Sequence, residues 1–385
     1  MQIWIPFAAS AGALLAIASF VGAGWDAPPV VSTQIGYRGT GMVLEQDLEK
    51  LEALKAANVV PEAPWEASPE GDKAGQLYEN VQVLGDLSDD QFNQFMASIT
   101  AWVAPPEQGC NYCHNPENMA SDEVYQKVVA RRMIQMNQTI NVAWEPHVGQ
   151  VGVTCYTCHR GQAVPANYWV DDQEPKPASN MSRAGQNVAG QYVGNTSLPQ
   201  NALMDYLLKD KPIRVHSNTA LPTGTNPAGV KETEGTWGLM MYMSESLGVN
   251  CVACHNSRAF NDWDQSPPQR VTAWHGIRMT RAINNDYMVG LTPVFPAHRK
   301  GPEGDVFKVG CSTCHNGVQK PLYGVSMLQS YVDALDKQGP TDVPDFSTYV
   351  PGETKVMGAP GRSSSLAPTT APAVPLETTL AKASN

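Results

Sequence analysis

Every cysteine of this chain belongs to one of four copies of a single pattern: Cys110-Asn-Tyr-Cys113-His114, Cys155-Tyr-Thr-Cys158-His159, Cys251-Val-Ala-Cys254-His255 and Cys311-Ser-Thr-Cys314-His315. Two thiols spaced in this way can add to a porphyrin as thioethers, and the histidine that follows sets an imidazole under the iron. This is the attachment pattern of c-type haem. One copy can be imitated by a zinc site or a redox dithiol; four copies that leave no cysteine over are hard to read otherwise. A disulfide framework is the ordinary reading of eight cysteines in an exported chain, but it gives no reason for the histidine after each pair. The sequence therefore implies four covalently bound haem c groups on these eight thiols, with His114, His159, His255 and His315 each ligating one iron.

Large apolar plates replace side-chain core, and 32 glycines and 30 prolines among 385 residues leave much of the chain for loops. The expected fold is mainly α with extensive loops: a multihaem cytochrome c of two pseudo-repeated two-haem halves, plus an N-terminal transmembrane helix. Covalent haem attachment takes place on the outer face of the cytoplasmic membrane, so the haem body must be exported. Met1 to Trp25 carry no charged side chain and enclose an apolar core from Phe7 to Val21. As a helix this stretch spans roughly 37 Å, against about 30 Å for a bilayer core. A cleaved signal peptide is the competing reading, but the usual basic n-region is missing, and Trp4 and Trp25 stand where interfacial anchors belong. A retained single-span anchor is expected. The formal charge of −11 and the lack of a basic run speak against nucleic acid. An acidic body suits a basic soluble partner, although the same charge also serves plain solubility.

The chain divides into the anchor (1–25), a Pro-punctuated lead-in (26–87) with a helix candidate at Glu45–Ala57, and a first two-haem half (88–165). A connector (166–231) follows, with an apolar run Ala202–Leu208 and a strand-like Ile213–His216; then come a second two-haem half (232–322) and a C-terminal segment (323–385). From Gly352 the composition falls to Ala, Pro, Ser and Thr, which cannot bury enough to order itself without a partner.

A helical pattern precedes each motif. Ser88-Asp-Asp-Gln91 reads as a capping box before Phe92, Phe95, Met96, Ile99, Trp102 and Val103, stopped by Pro105-Pro106. Ser121 opens the next helix, with a stripe of Tyr125, Val129, Met133, Met136 and Ile140. Trp237, Met240, Met241, Ser244 and Leu247 share a face that ends at Gly248. Ser266-Pro-Pro-Gln269 caps a last helix carrying Trp274, His275, Arg278, Met279 and Ile283, with Pro267 at its first position. The interval from the central methionine to the first cysteine runs short, long, short, long (Met96 to Cys110, Met133 to Cys155, Met240 to Cys251, Met279 to Cys311), which points to duplication of a two-haem unit. Arg132-Met133 matches Arg278-Met279 across the halves, and His114-Asn115 matches His255-Asn256.

A low-spin electron-transfer iron needs a sixth ligand, normally Met or a second His. Outside the motifs stand His147, His216, His275 and His298, and bis-histidine ligation throughout would need them all. A methionine in the middle of each preceding helix can instead reach across the haem plate. Met96, Met133 and Met240 are chosen for the first three sites, with Met136, Met241 and Met243 as competitors and plain core packing as the default role of such a stripe. For the fourth site internal symmetry nominates Met279, and His147, just after Pro146, stays open.

With these residues laid out, the chain closely resembles the tetrahaem cytochrome c subunit of purple-bacterial photosynthetic reaction centres. The resemblance covers Gln91 to Tyr323. It is densest in Ile99-Thr-Ala-Trp-Val103, Val128-Val-Ala-Arg-Arg-Met133, Gly152-Val-Thr-Cys-Tyr-Thr-Cys-His-Arg-Gly161, Gly276-Ile-Arg-Met279 and Gly317-Val-Gln-Lys-Pro-Leu322. It implies the axial pairs Met96/His114, Met133/His159 and Met240/His255, and a bis-histidine pair His147/His315 in place of Met279. It further implies electron transfer without substrate chemistry: a photo-oxidised bacteriochlorophyll special pair, held by the membrane subunits of the reaction centre, is re-reduced through the haems. A soluble periplasmic donor, a small cytochrome c or a high-potential iron–sulfur protein, then refills them. The haem body would lie on the periplasmic face of the photosynthetic (cytoplasmic) membrane, with a light-harvesting ring as a further neighbour. Relatives of this kind carry a lipid on an N-terminal cysteine; this chain has no cysteine to spare, so the apolar N-terminus is expected to anchor it or to be removed. A multihaem reductase or peroxidase would need an open iron, and a tetrahaem quinol dehydrogenase relies on bis-histidine haems. The sixth ligands on offer argue against the first and the histidine count against the second.

Overall fold

The computed structural model describes residues 4–22, 29–35, 42–171, 186–187, 192–213, 228–340, 342–350 and 359–363. Trp25, residues 214–216 of the strand-like stretch and the last part of the tail lie outside them. The uncharged N-terminus forms α1 (Trp4–Gly22), whose described side chains, such as Leu14, Ile17 and Phe20, are exposed. Among the described residues no helix is long and apolar enough to cross a membrane, so the expected transmembrane helix is not established by the fold. The 19 residues of α1 amount to about 28 Å of helix, just short of a bilayer core of about 30 Å.

The lead-in differs from its sequence reading. Glu45 to Asp47 belong to β2 (Met42–Asp47), paired antiparallel with β1 (Val30–Ile35), Glu45 opposite Ser32. The helix there, α2 (Leu48–Ala57), starts only when the Asp47 carboxylate accepts the Glu49 N–H at 2.9 Å. After the short α3 (Ala74–Leu77), α4 (Asp89–Val103) begins where the sequence places it. The Ser88 hydroxyl accepts from Gln91 N at 3.1 Å, and the Gln91 amide takes Ser88 N at 3.2 Å. Phe95 and Trp102 on its buried face pack with Tyr331, Leu84, Leu87, Ile134 and Leu335, so lead-in and C-terminal residues close one core around α4.

Helix α5 (Tyr125–Ala143) runs through the middle of the molecule. It opens at Tyr125 rather than Ser121, because the backbone of 119–121 turns its carbonyls toward Lys127 Nζ at 2.8, 2.8 and 2.9 Å. Its buried polar side chains serve neighbouring backbone. Gln138 donates to Ala334 O at 2.9 Å, Asn141 exchanges bonds with Val153, and Arg132 donates to Asp286 O at 2.8 Å while lying over the Tyr287 ring. Such groups would each be costly if buried unmet. The short α6 (Glu145–Val148) carries His147, and α7 (Cys155–His159) is the second motif itself.

In the second part, the apolar run forms α8 (Ala202–Leu207), which packs on α9 (Val230–Leu247). Helix α9 stops at Gly248, as its sequence indicates, with φ 62°. Helix α10 (Gln269–Ile283) starts later than expected and without a side-chain cap. Ser266 spends its hydroxyl on Asp262 O and Arg270 Nη1, leaving Pro268 at the boundary. The helix then loosens into a π turn (Asn284–Met288) held by Asn284, which bonds Leu207 O and Val309 O at 2.9 Å. The fourth motif is α11 (Cys311–His315), and α12 (Val332–Leu335) returns to α5. Last, β3 (Asp342–Asp345) pairs antiparallel with β4 (Ala359–Ser363). A strand therefore occurs inside the tail that composition alone marks as unable to order itself.

Candidate haem-binding cavity

The four motifs adopt two local forms in alternation. The first and third lie in 3-10 turns, Gly109–Tyr112 and Cys251–Ala253. The second and fourth are single α turns whose starts are closed by a threonine: Thr157 Oγ1 accepts Thr154 N at 3.0 Å, and Thr313 Oγ1 accepts Gly310 N at 2.9 Å. Each of these two ends on a left-handed residue, Arg160 or Asn316, followed by a glycine at φ 80° or 77°.

In all four motifs the histidine Nδ1 meets a backbone carbonyl. The partners are Met119 O at 3.0 Å, Gln162 O at 2.9 Å, Phe260 O at 2.8 Å and Val318 O at 3.1 Å for His114, His159, His255 and His315 in turn. A carbonyl only accepts, so Nδ1 carries the proton and Nε2 keeps its lone pair. His147 has the same posture, bonding Thr272 O at 2.9 Å. Burial holds all five imidazoles below their ordinary range, His315 down to about 4 with His147 adding to the effect, so they stand neutral.

The ring centres of His147 and His315 are 6.1 Å apart. Room for His147 is made by α10: a Cβ at Gly276 would stand 2.5 Å from His147 Cε1 and 2.8 Å from Nδ1. Met279, one turn further on, is 8% exposed and packed against Ile140, Trp144 and Ile283.

A cavity of about 610 Å³ brings many of these residues together. It is lined by Met133, His159, His147 and His315, by both cysteines of the second and fourth motifs, and by Cys113 and Cys254. It does not include Met96 on α4, Met240 on α9, or His114 and His255, which follow the two 3-10 turns. Of the competing methionines, Met136 and Met243 also line it. The second and fourth motifs are back to back, with Cys158 Sγ 2.7 Å from Cys314 Sγ. Arg160 ties them to the lead-in, donating to Ala57 O at 2.9 Å and to Cys314 O at 3.4 Å. On the outer sides α4 packs on α7 and α9 packs on α11.

The lining suits a porphyrin. It is mostly apolar, its imidazoles are neutral, and Arg299 brings a guanidinium to the wall. That group bonds Tyr112 Oη and Ala163 O at 3.3 Å each, while its buried Nε meets no protein acceptor. A haem carries two carboxylates, and an unmatched cationic N–H beside an apolar slot matches that pairing. Sequence reasoning did not single out Arg299, or the carbonyls that orient the imidazoles. A backbone acceptor leaves no residue-type signal.

Residues 26–334 match the family model described as photosynthetic reaction centre cytochrome C subunit. The chain is 50% identical over 311 residues to the photosynthetic reaction center cytochrome c subunit of Rubrivivax gelatinosus, covering 80% of this chain and 84% of that one. It is 48% identical over 319 residues to that of Thermochromatium tepidum (83% and 78% covered) and 44% identical over 324 residues to that of Roseobacter denitrificans (80% and 86%). The cysteine pairs, the oriented imidazoles and these likenesses agree: the chain belongs to the photosynthetic reaction centre cytochrome c subunit family, whose members are electron-transfer proteins rather than enzymes.

Proposed function

We propose that this chain carries four haems c, on Cys110/Cys113, Cys155/Cys158, Cys251/Cys254 and Cys311/Cys314, and re-reduces the photo-oxidised bacteriochlorophyll special pair of a reaction centre. Bound there, haem c supplies a one-electron iron couple; the protein decides where it sits and at what potential. The axial pairs are Met96/His114, Met133/His159, Met240/His255 and His147/His315.

The observation that carries this reading is the common posture of five imidazoles, each with Nδ1 on a backbone carbonyl and Nε2 left for a metal. His147 is the member outside the motifs. Its 6.1 Å ring separation from His315 would leave room for the two imidazoles to hold one haem iron between them. That supports the bis-histidine pair and leaves Met279 to the core. Thioether ligands raise a haem potential relative to a second imidazole, so the two kinds of pair spread the potentials along the wire. The packing of α4 on α7, α7 on α11 and α11 on α9 supports a file in which the sites run first, second, fourth, third. The alternation of turn types, and of carbonyls five and three residues beyond the histidine, supports descent from a duplicated two-haem unit.

Residues 1–25 hold the body on the periplasmic face of the membrane, where a soluble donor, a small cytochrome c or a high-potential iron–sulfur protein, refills it. A light-harvesting ring is a further neighbour. Flash illumination of membranes containing the protein tests the function: haem oxidation is expected to follow pigment oxidation, and intact haems that stay reduced after the flash would overturn it. At the level of ligands, Met133→His is expected to lower one midpoint in a redox titration, and four unchanged midpoints would remove Met133 from the set.

A further inference from the structure

Behind the first motif lies a buried charge cluster. Lys127 on α5 is 8% exposed, and its Nζ reaches the carbonyls of Met119, Ala120 and Ser121 at 2.8, 2.8 and 2.9 Å. Three acceptors use three hydrogens, so this is the ammonium form. Asp122, 1% exposed, takes Arg131 at 2.9 Å and Lys127 at 3.3 Å on one oxygen, with Asn80 at 3.0 Å on the same atom. Burial pushes the Asp122 carboxyl up, but the hydrogen bonds from Arg131 and Asn80 and the charges of both cations outweigh it and hold it below the usual range. It is an anion. Two cations and one anion leave the cluster with a net positive charge.

The Met119 carbonyl is also the acceptor for His114 Nδ1, at 3.0 Å. Among the described residues, it is the one of the four motif-loop carbonyls that also takes a side-chain ammonium. An oxygen already bound to a cation has less electron density to offer an N–H. The imidazole is then less basic, and donates less to a metal on its far nitrogen. The net charge of the cluster acts in the same direction, since a buried positive charge disfavours the oxidised, more positive iron.

We propose that Lys127 is a positioning and tuning residue for the first site, raising its midpoint potential through the shared Met119 carbonyl. This rests on His114 as a ligand, the reading given under Proposed function. The test is a redox titration of the full-length, membrane-bound protein with haem content counted by the pyridine haemochrome. In Lys127→Met one midpoint is expected to fall by roughly the equivalent of tenfold in the reduction equilibrium, ~59 mV for one electron, with the other three in place. Lys127→Arg keeps the charge and is expected to restore much of it. Four attached haems with four unmoved midpoints in Lys127→Met would overturn the proposal. Should that variant not fold, Asp122→Asn removes the balancing anion and is expected to raise the same midpoint; no rise, or a fall, would equally overturn it. Met96→His separates the two levels. If it lowers a midpoint while the Lys127 and Asp122 variants move none, the ligand reading stands and the tuning role is wrong.

Discussion

Gly276 shows how one absent side chain can seat a histidine ring. It lies inside α10, where glycine is less favourable than alanine by about 1 kcal/mol. The space its side chain would fill is taken by the His147 ring, which cannot swing aside because Nδ1 is held by Thr272 O. Gly276→Ala therefore gains helix propensity and loses packing, and overpacking of this kind costs about 1–3 kcal/mol. The expected outcome is a protein that keeps its haem content, since the thioethers do not depend on His147, but in which one haem changes its low-spin EPR signal and its midpoint. An unaltered spectrum would mean that the ring is neither pinned nor a ligand. From the repeat alone Met279 is the candidate, and spacing does not select His147. The family resemblance favoured His147, and the ring geometry supports that choice for a reason no spacing rule contains: the two histidines meet across chain segments far apart in sequence.

Helix ends were legible where the signal is local and misread where a side chain is claimed by something distant. The Ser88 box and the Gly248 stop need only their own neighbours, and both stand as the sequence indicates. Ser121 and Ser266 carry the same cap chemistry, yet α5 and α10 begin later. Lys127 reorganises the first of these turns, and Asp262 with Arg270 takes the hydroxyl of the second. Gly248 also joins two elements. With φ 62° it is left-handed, and a Cβ there would stand 2.1 Å from the Gly317 carbonyl, on the turn that closes the fourth motif. Gly317 N in turn donates to Ser246 O at 2.9 Å. Both contacts are backbone, with no flexible group to yield. Gly248→Ala is expected to lower unfolding stability by about 2–4 kcal/mol, from backbone strain and from the displaced turn together. Denaturant titration measures this, and a loss below about 0.5 kcal/mol would show that the two turns separate freely.

At the scale of the molecule, the buried apolar side chains among the described residues gather in separate groups rather than one. Phe95, Trp102 and Tyr331 centre one, Tyr206 and Leu239 a second, Leu291 and Phe346 a third, and Ile140, Trp144 and Ile283 a fourth. The cavity wall draws on all four, through Ile134, Ile277, Met133 and Met279 among others. Protein alone therefore does not complete the core; the groups are joined where porphyrin plates fit. Apolar wall left open to water forgoes a burial term of about 25 cal/mol per Å², a heavy loss for a fold whose net stability is of the order of 5–15 kcal/mol. A chain exported without haem attachment is accordingly expected to lack a native cooperative melt and its near-UV circular dichroism. Hydrogen-exchange protection should be lost first in α5, α7, α10 and α11, which wall the cavity. The Phe95–Trp102–Tyr331 group around α4 has aromatic contacts of its own at 4.9–6.5 Å and is expected to hold longest. Covalent attachment and folding would then be one process, each thioether fixing a plate against the helices that need it. A haem-free chain with a sharp melt and uniform protection would show the opposite, that the loops and helices close on their own and the cofactors enter a finished frame.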